Sequence, residues 1–295
     1  MRLGTVLANG RATTVADRAG LLVDLCALSP HVPVGRALVA AWEAGDAGVR
    51  DAARVATTAD PATLPLLDHA AVTWLPPIPD AGTVFAVGLN YLSHCREQGR
   101  EAPAEPLFFT KLPSSYNGHM GDVVAWPLTQ ELDYEGELAV VVGRGGRAIP
   151  EADALAHCFG YTVMADFTAR DLQRRDRQWT RAKGLDGFAP FGPLVATRDE
   201  VPDPSALRIV TTVDGVVVQD APTSEMTFGV ARLVACLSQA ITLRPGDVIT
   251  TGTPAGVGVF AKPPRFLVPG NEVRVRIDGI GELVNRVVLP PPPRP

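Results

Sequence analysis

The sequence predicts an α+β fold rich in β-structure, and three observations carry that prediction. Strand-length apolar and alternating runs dominate from residue 80 onward. An Asp214-Gly215 pair sits between two β-branched runs at 207–213 and 216–219, the signature of a hairpin with a two-residue turn. Helical stretches are few and do not alternate regularly with strands, which excludes a doubly wound sheet.

Each element follows in order. Residues 2–7, with Asn9-Gly10 after them, read as the first strand and turn of a small hairpin. Residues 37–56 are alanine-rich, lack proline and repeat apolar side chains at helical spacing, predicting one or two helices. Pro76, Pro77 and Pro79 precede a strand at 84–87, so a linker at about 75–80 separates a small α+β N-terminal domain (1–75) from a body at 80–289. Within that body, 132–143 runs from polar alternation into a core strand, and 159–165 is a second apolar run. Residues 273–279 alternate apolar and charged side chains, as in a sheet with one wet face. Helices are expected at 152–158, 168–173 and 230–240, and the proline-rich tail at 290–295 is expected to be extended.

Composition removes whole classes of function. The chain has 295 residues, 46% hydrophobic and 20% charged, with a net charge of −5. That acidity argues against a nucleic-acid partner, which calls for a basic face. No apolar stretch approaches the roughly 18 residues of a membrane helix, and no secretory apolar segment follows Met1. Cys26, Cys95, Cys158 and Cys236 lie far apart without a CxxC, which predicts reduced thiols and a cytoplasmic setting. Lys111, Lys183 and Lys262 are the three lysines among 27 cations. Arginine cannot serve as a compact point charge or give up its proton, so a retained lysine draws notice.

Three constellations could carry chemistry. Glu135 and Glu137 flank Gly136 at the start of a buried run and, in a strand, point to one face. Asp166 ends the second apolar run. Buried together, such carboxylates repel unless a cation sits among them, and oxygen-only ligands suit Mg²⁺ or Mn²⁺; on a solvated strand face they would do nothing. His94 and Glu97 are three apart and share a face if their segment is helical. A carboxylate beside an imidazole fixes its tautomer and raises its basicity, as activation of a water requires; the alternative is a surface pair. Residues 250–258, rich in glycine and threonine, offer backbone N–H and hydroxyl donors for a carboxylate or phosphate, but match neither a P-loop nor a dinucleotide fingerprint.

Taken in order, these pieces resemble the fumarylacetoacetate hydrolase (fumarylacetoacetase) superfamily, in particular its bacterial acylpyruvase-like members, across roughly residues 80–289. The resemblance rests on Gly88-Leu89-Asn90-Tyr91-Leu92-Ser93-His94 with Glu97, on Phe109-Thr110-Lys111, on Asp133-Tyr134-Glu135-Gly136-Glu137-Leu138 and on Ala165-Asp166-Phe167-Thr168-Ala169-Arg170-Asp171-Leu172-Gln173. Further matches are Arg181-Ala182-Lys183-Gly184, Gly187-Phe188-Ala189-Pro190-Phe191-Gly192-Pro193, Thr223-Ser224-Glu225-Met226 and Gly246-Asp247 through Gly258. It implies a mixed β-roll catalytic domain in a homodimer. It also implies Mg²⁺ or Mn²⁺ (Ca²⁺ as a substitute in crystals) on Glu135, Glu137 and Asp166. The same resemblance implies His94, Glu97 and Lys183 as catalytic residues, with Tyr91, Lys111, Arg170, Gln173 and Thr253 contacting a small-molecule substrate.

The activity this implies is hydrolysis of a C–C bond in acylpyruvate-like β-diketo acids through a metal-stabilised enolate. His94 would activate the attacking water. A decarboxylase of 2-oxo acids such as oxaloacetate, or an enol–keto isomerase, would use the same metal site without that water. A catalytically silent scaffold, partnered through the proline-rich tail, is the rival of another class, and it would not bind the metal. Two departures from the family pattern stand out: Ala165 replaces a frequent asparagine beside Asp166, and His119 stands where relatives carry a small residue or proline.

Overall fold

A computed structural model describes residues 1–290 and Pro292. Most of the tail expected to be extended at 290–295 lies outside the described residues. A twelve-stranded, largely antiparallel sheet forms the centre, and a five-stranded sheet built around the Arg208–Val213, Val216–Pro222, Glu272–Ile277 and Gly281–Val288 strands packs against it. The fold is β-rich α+β, as predicted.

The central strands explain the unbroken apolar runs in the sequence. Gly136–Val142 pairs with Cys158–Ala165, and every residue of both is buried. Leu138 and Val140 join the cluster containing Ile209, Val275 and Leu283 of the second sheet, whereas Ala139 and Val141 join the cluster containing Leu38, Val39 and Val49 of the N-terminal helices. Alternate side chains thus meet different layers, so both faces must be apolar.

The Asp214-Gly215 hairpin forms with φ of 51° and 78°, the pair of positive values its turn needs. Residues 37–56 resolve into two helices, Arg36–Glu43 and Ala47–Thr58, the latter capped by Asp46. The stretch expected as helix at 152–158 is instead a 3₁₀ segment, Glu151–His157. At 168–173 the helix starts later and runs longer, Arg170–Asp176, because Thr168 and Ala169 pair with Asp133 and Leu132. A short helix at Trp179–Lys183 was not expected.

Residues 1–75, expected as a small domain of their own, share the large sheet. Arg2–Ala8 pairs with Ala189–Thr197 on one side and Arg11–Arg18 on the other. Among the described residues no helix is long and apolar enough to cross a membrane.

Candidate active site

Gly136 lies where the two sheets approach closely. A Cβ there would lie 2.2 Å from Thr211 Oγ1, so only glycine fits between the two glutamates. Its pairing with Ala165, and the hydrogen bond from Asp166 N to Glu135 O at 2.8 Å, bring the ends of the two strands together. Glu135, Glu137 and Asp166 consequently converge, each buried, with carboxylate oxygens within 4.8 Å of one another.

Three cations serve this cluster unevenly. Lys183 Nζ donates to Glu135 Oε2 at 2.8 Å, Asp166 Oδ2 at 2.9 Å and Thr168 Oγ1 at 2.7 Å. Lys111 donates to the other Asp166 oxygen and to Phe188 O. Arg170 bridges Asp133, at 2.8 Å, and Glu135, at 2.6 Å. Glu137 has no cation within 4.0 Å among the described residues: its Oε2 accepts the Gly252 N–H at 3.0 Å, delivered by a turn in which Gly252 has φ +83°.

Charge state follows. Burial alone would raise the Glu135 carboxyl, but Lys183 and Arg170 outweigh it and hold it down at about 2. Burial, reinforced by Asp166 and Glu135, pushes Glu137 up to about 8. Burial would lower Lys183, but Asp166 and Glu135 outweigh it and keep its pKa above the ordinary lysine value; at Lys111 burial prevails over Asp166 and lowers it. A buried carboxylate without a cationic partner is costly. Glu137, aimed at two other carboxylates, is the feature that a divalent cation would satisfy, and three oxygen ligands with room for others suit Mg²⁺ or Mn²⁺.

Above the cluster opens a cavity of about 520 Å³, lined by His94, Glu135, Arg170, Gln173, Lys183 and Thr253, with apolar walls that include Phe109, Trp179 and Phe260. His94 lies on the Leu92–Glu97 helix and is buried. Its Nδ1 is 3.0 Å from Glu97 Oε2, and Glu97 Oε1 accepts the Gly256 N–H at 2.9 Å. The carboxylate favours the proton on Nδ1, leaving Nε2 as the acceptor.

Six of the expected site residues therefore line one cavity. Glu97, Glu137 and Asp166 stand behind that lining, beside His94 and Glu135, and Tyr91 and Lys111, expected as substrate contacts, do not line it either. The latter two are buried; Lys111 sits against Asp166, and the Tyr91 hydroxyl, raised by burial and the Glu137 charge, has no hydrogen-bond partner among the described residues. Thr253 lines the cavity, but its hydroxyl is donated to Gly136 O and accepts from Gln219 Nε2, so it is engaged before any carboxylate arrives. Gln173 accepts from Arg170 at 3.2 Å. His119 is not a cavity residue: its Nδ1 accepts the Val284 N–H and its ring packs edge-on against Trp74.

Sequence reasoning missed Asp133, which takes Arg170 and the N–H groups of Gly258 and Val259. Its burial two residues before Glu135 was the available signal. It also missed Arg100, Arg174, Arg177, Trp179 and Phe260, which line the cavity from segments without motif character.

Comparison with known proteins agrees with this geometry. The family described as fumarylacetoacetate (FAA) hydrolase C-terminal matches residues 83–288. The chain is 44% identical over 271 residues to the mitochondrial oxaloacetate tautomerase FAHD2A of Homo sapiens, covering 91% of this chain and 84% of that protein. A fumarylacetoacetate hydrolase structure from Exiguobacterium antarcticum superposes with a TM-score of 0.84 at 37% identity, covering 98% of this chain and all (100%) of that one. Maleylpyruvate hydrolase from Sphingobium sp. SYK-6, solved with manganese(II) and pyruvate, gives a TM-score of 0.80 at 28% identity, covering 99% and 100%. With the matched family spanning the carboxylate cluster, the His94–Glu97 pair and the whole cavity between them, this chain belongs to the fumarylacetoacetate hydrolase family.

Proposed function

We propose that this protein is a divalent-metal-dependent enzyme that interconverts the enol and keto forms of a 2-oxo acid of the oxaloacetate type. The observation that carries the reading is the buried Glu135–Glu137–Asp166 cluster, whose Glu135 lines the same cavity as the His94 imidazole, held by Glu97 through its Nδ1. Similarity to oxaloacetate tautomerases over 91% of the chain favours isomerisation above the C–C hydrolysis that the motifs first suggest.

The chemistry follows from charge and proton position. A divalent cation on Glu135, Glu137 and Asp166 would supply positive charge to the oxo-acid oxygens and lower the cost of an enolate. Lys183 adds positive charge beside the same position. Its three protons are already given to Glu135, Asp166 and Thr168, so it acts by field and by fixing the carboxylates. Going from enol to keto, the enol hydroxyl loses a proton and the adjacent carbon gains one. His94 takes the hydroxyl proton and, as the imidazolium, returns a proton to the carbon, the reverse holding from keto to enol, and Glu97 stabilises the imidazolium formed meanwhile. Phe109, Trp179 and Phe260 keep the enolate from bulk water.

The test is a time course in deuterated water with Mg²⁺, following enol decay and deuterium uptake next to the oxo group, with and without chelator. Accelerated, chelator-sensitive exchange supports the isomerase; exchange at the buffer rate rejects it. Hydrolysis of acylpyruvates is the second reading, favoured by the same dyad, which could equally activate a water. Release of pyruvate and a free acid from an acylpyruvate added to the tube would establish it.

A further inference from the structure

Five arginine and lysine side chains line the cavity, and three are already neutralised. Arg170 is held by Asp133 and Glu135, Lys183 by Glu135 and Asp166, and Arg174 by both Glu131 oxygens at 2.6 Å. Arg100 and Arg177 have no carboxylate within 4.0 Å among the described residues, and Glu135 is the one acidic residue in the lining. Both arginines are exposed, whereas Glu135, Arg170 and Lys183 are buried. The cavity is thus polarised: an acidic floor compensated by buried cations, apolar walls, and a mouth with two uncompensated positive charges.

Arg177 also occupies an uncommon backbone position. It ends the Arg170–Asp176 helix with φ +60°, where glycine or asparagine is the unstrained choice. A long cation held there at a backbone cost marks the position for more than chain reversal. Arg100 follows the helix that carries His94, so the two segments supplying the base and Gln173 each also bring one free guanidinium to the same space.

We infer that Arg100 and Arg177 form an anion subsite at the cavity mouth that selects 2-oxo acids bearing a second carboxylate remote from the oxo-acid head. The assignment rests on the reading above that the carboxylate cluster takes the oxo-acid head. Guanidinium forks match carboxylates in planar, two-pronged hydrogen bonds. With the metal-chelating head fixed at the floor, a distal carboxylate gains this contact while an alkyl end of equal length gains none.

The test compares 2-oxoglutarate with 2-oxopentanoate, which have the same five-carbon chain and differ at the far end, carboxylate against methyl. Their binding to the Mg²⁺-loaded protein is measured by calorimetry, without turnover. The unaltered protein should prefer 2-oxoglutarate by about tenfold or more, as charge-assisted hydrogen bonds suggest. Arg100→Gln and Arg177→Gln should each shrink the preference, and the double variant should abolish it while leaving 2-oxopentanoate affinity unchanged. Both side chains are exposed, so the fold should tolerate the changes. Equal affinity for the two acids in the unaltered protein, or a preference that survives the double substitution, overturns the assignment. A protein that keeps the preference yet does not accelerate enol–keto exchange counts against the isomerase and leaves the subsite standing.

Discussion

Glu135, at the floor of the cavity, and Asp166, buried behind it, are held by cations from residues 111, 170 and 183; His94, on the wall, is held by a carboxylate three residues along its own helix. The floor is buried, and each member of its network compensates another. The wall pair is also largely buried, but it is local and linked to the rest chiefly through the Gly256 N–H. In a buried network removal of one member strands a charge on its partners. A local pair bound to few other groups strands less when one member is replaced by another hydrogen-bonding side chain. The floor should therefore govern stability and metal affinity, and the wall should govern rate.

That division can be broken by substitutions on each side. The largest effect is expected from His94→Asn, which removes the base: metal-dependent exchange should fall by about 10²–10⁴-fold, the usual worth of a positioned acid–base group, with unfolding changed by no more than about 2 kcal/mol. A loss of stability as large as that expected at the floor would place His94 in the structural network instead. Lys111→Met should do the reverse. It leaves Asp166 short of one buried cation, and urea unfolding should show a loss of about 3–5 kcal/mol. An unchanged midpoint would mean that Lys183 alone satisfies Asp166.

A smaller, pH-dependent effect separates Glu137 from its neighbours. With its carboxyl raised from 4.5 to about 8, the folded metal-free chain holds a proton there that the unfolded chain releases. Between those values the native state binds more protons, so stability of the metal-free protein should fall as pH rises, on the order of a few kcal/mol in all. Glu135, held at about 2, works with opposite sign, its contribution fading only as pH drops towards that value. Mg²⁺ should flatten the upper slope, and Glu137→Gln should remove it; thermal melts against pH, with and without chelator, decide the matter. The smallest change is expected for Glu97→Gln: roughly tenfold slower exchange from a less well oriented imidazole, with stability changed by about 1 kcal/mol.

How much of this was legible beforehand depended on range. The hairpin at Asp214-Gly215 and the helix pair in 37–56 follow from local rules, and the structure has them. The carboxylate cluster was readable because each member adjoins an apolar run, and burial of acids signals compensation. Local rules failed where a distant partner decides. Thr168 and Ala169 look helical but are taken by Leu132 and Asp133. Lys111 and Tyr91 carry motif character, but their burial behind the carboxylates depends on packing that spacing does not encode. Arg100 and Arg177 resemble any surface arginine until the cavity is seen.

The pairing of Arg2–Ala8 with Ala189–Thr197 bears on how the chain reaches this state. Gly4 meets Leu194, a partner about 190 residues later. At a synthesis rate of roughly 5–20 residues per second, the first strand waits on the order of ten to forty seconds before its neighbour leaves the ribosome. Throughout that interval it can pair with Arg11–Arg18 and, through Val6 and Leu7, with Trp74 and Thr73, yet its Arg2–Gly4 edge lies open to any passing strand. Non-local pairing of this kind slows folding, so nascent chains of this protein should be frequent clients of holding chaperones and prone to aggregate when translation stalls before residue 194.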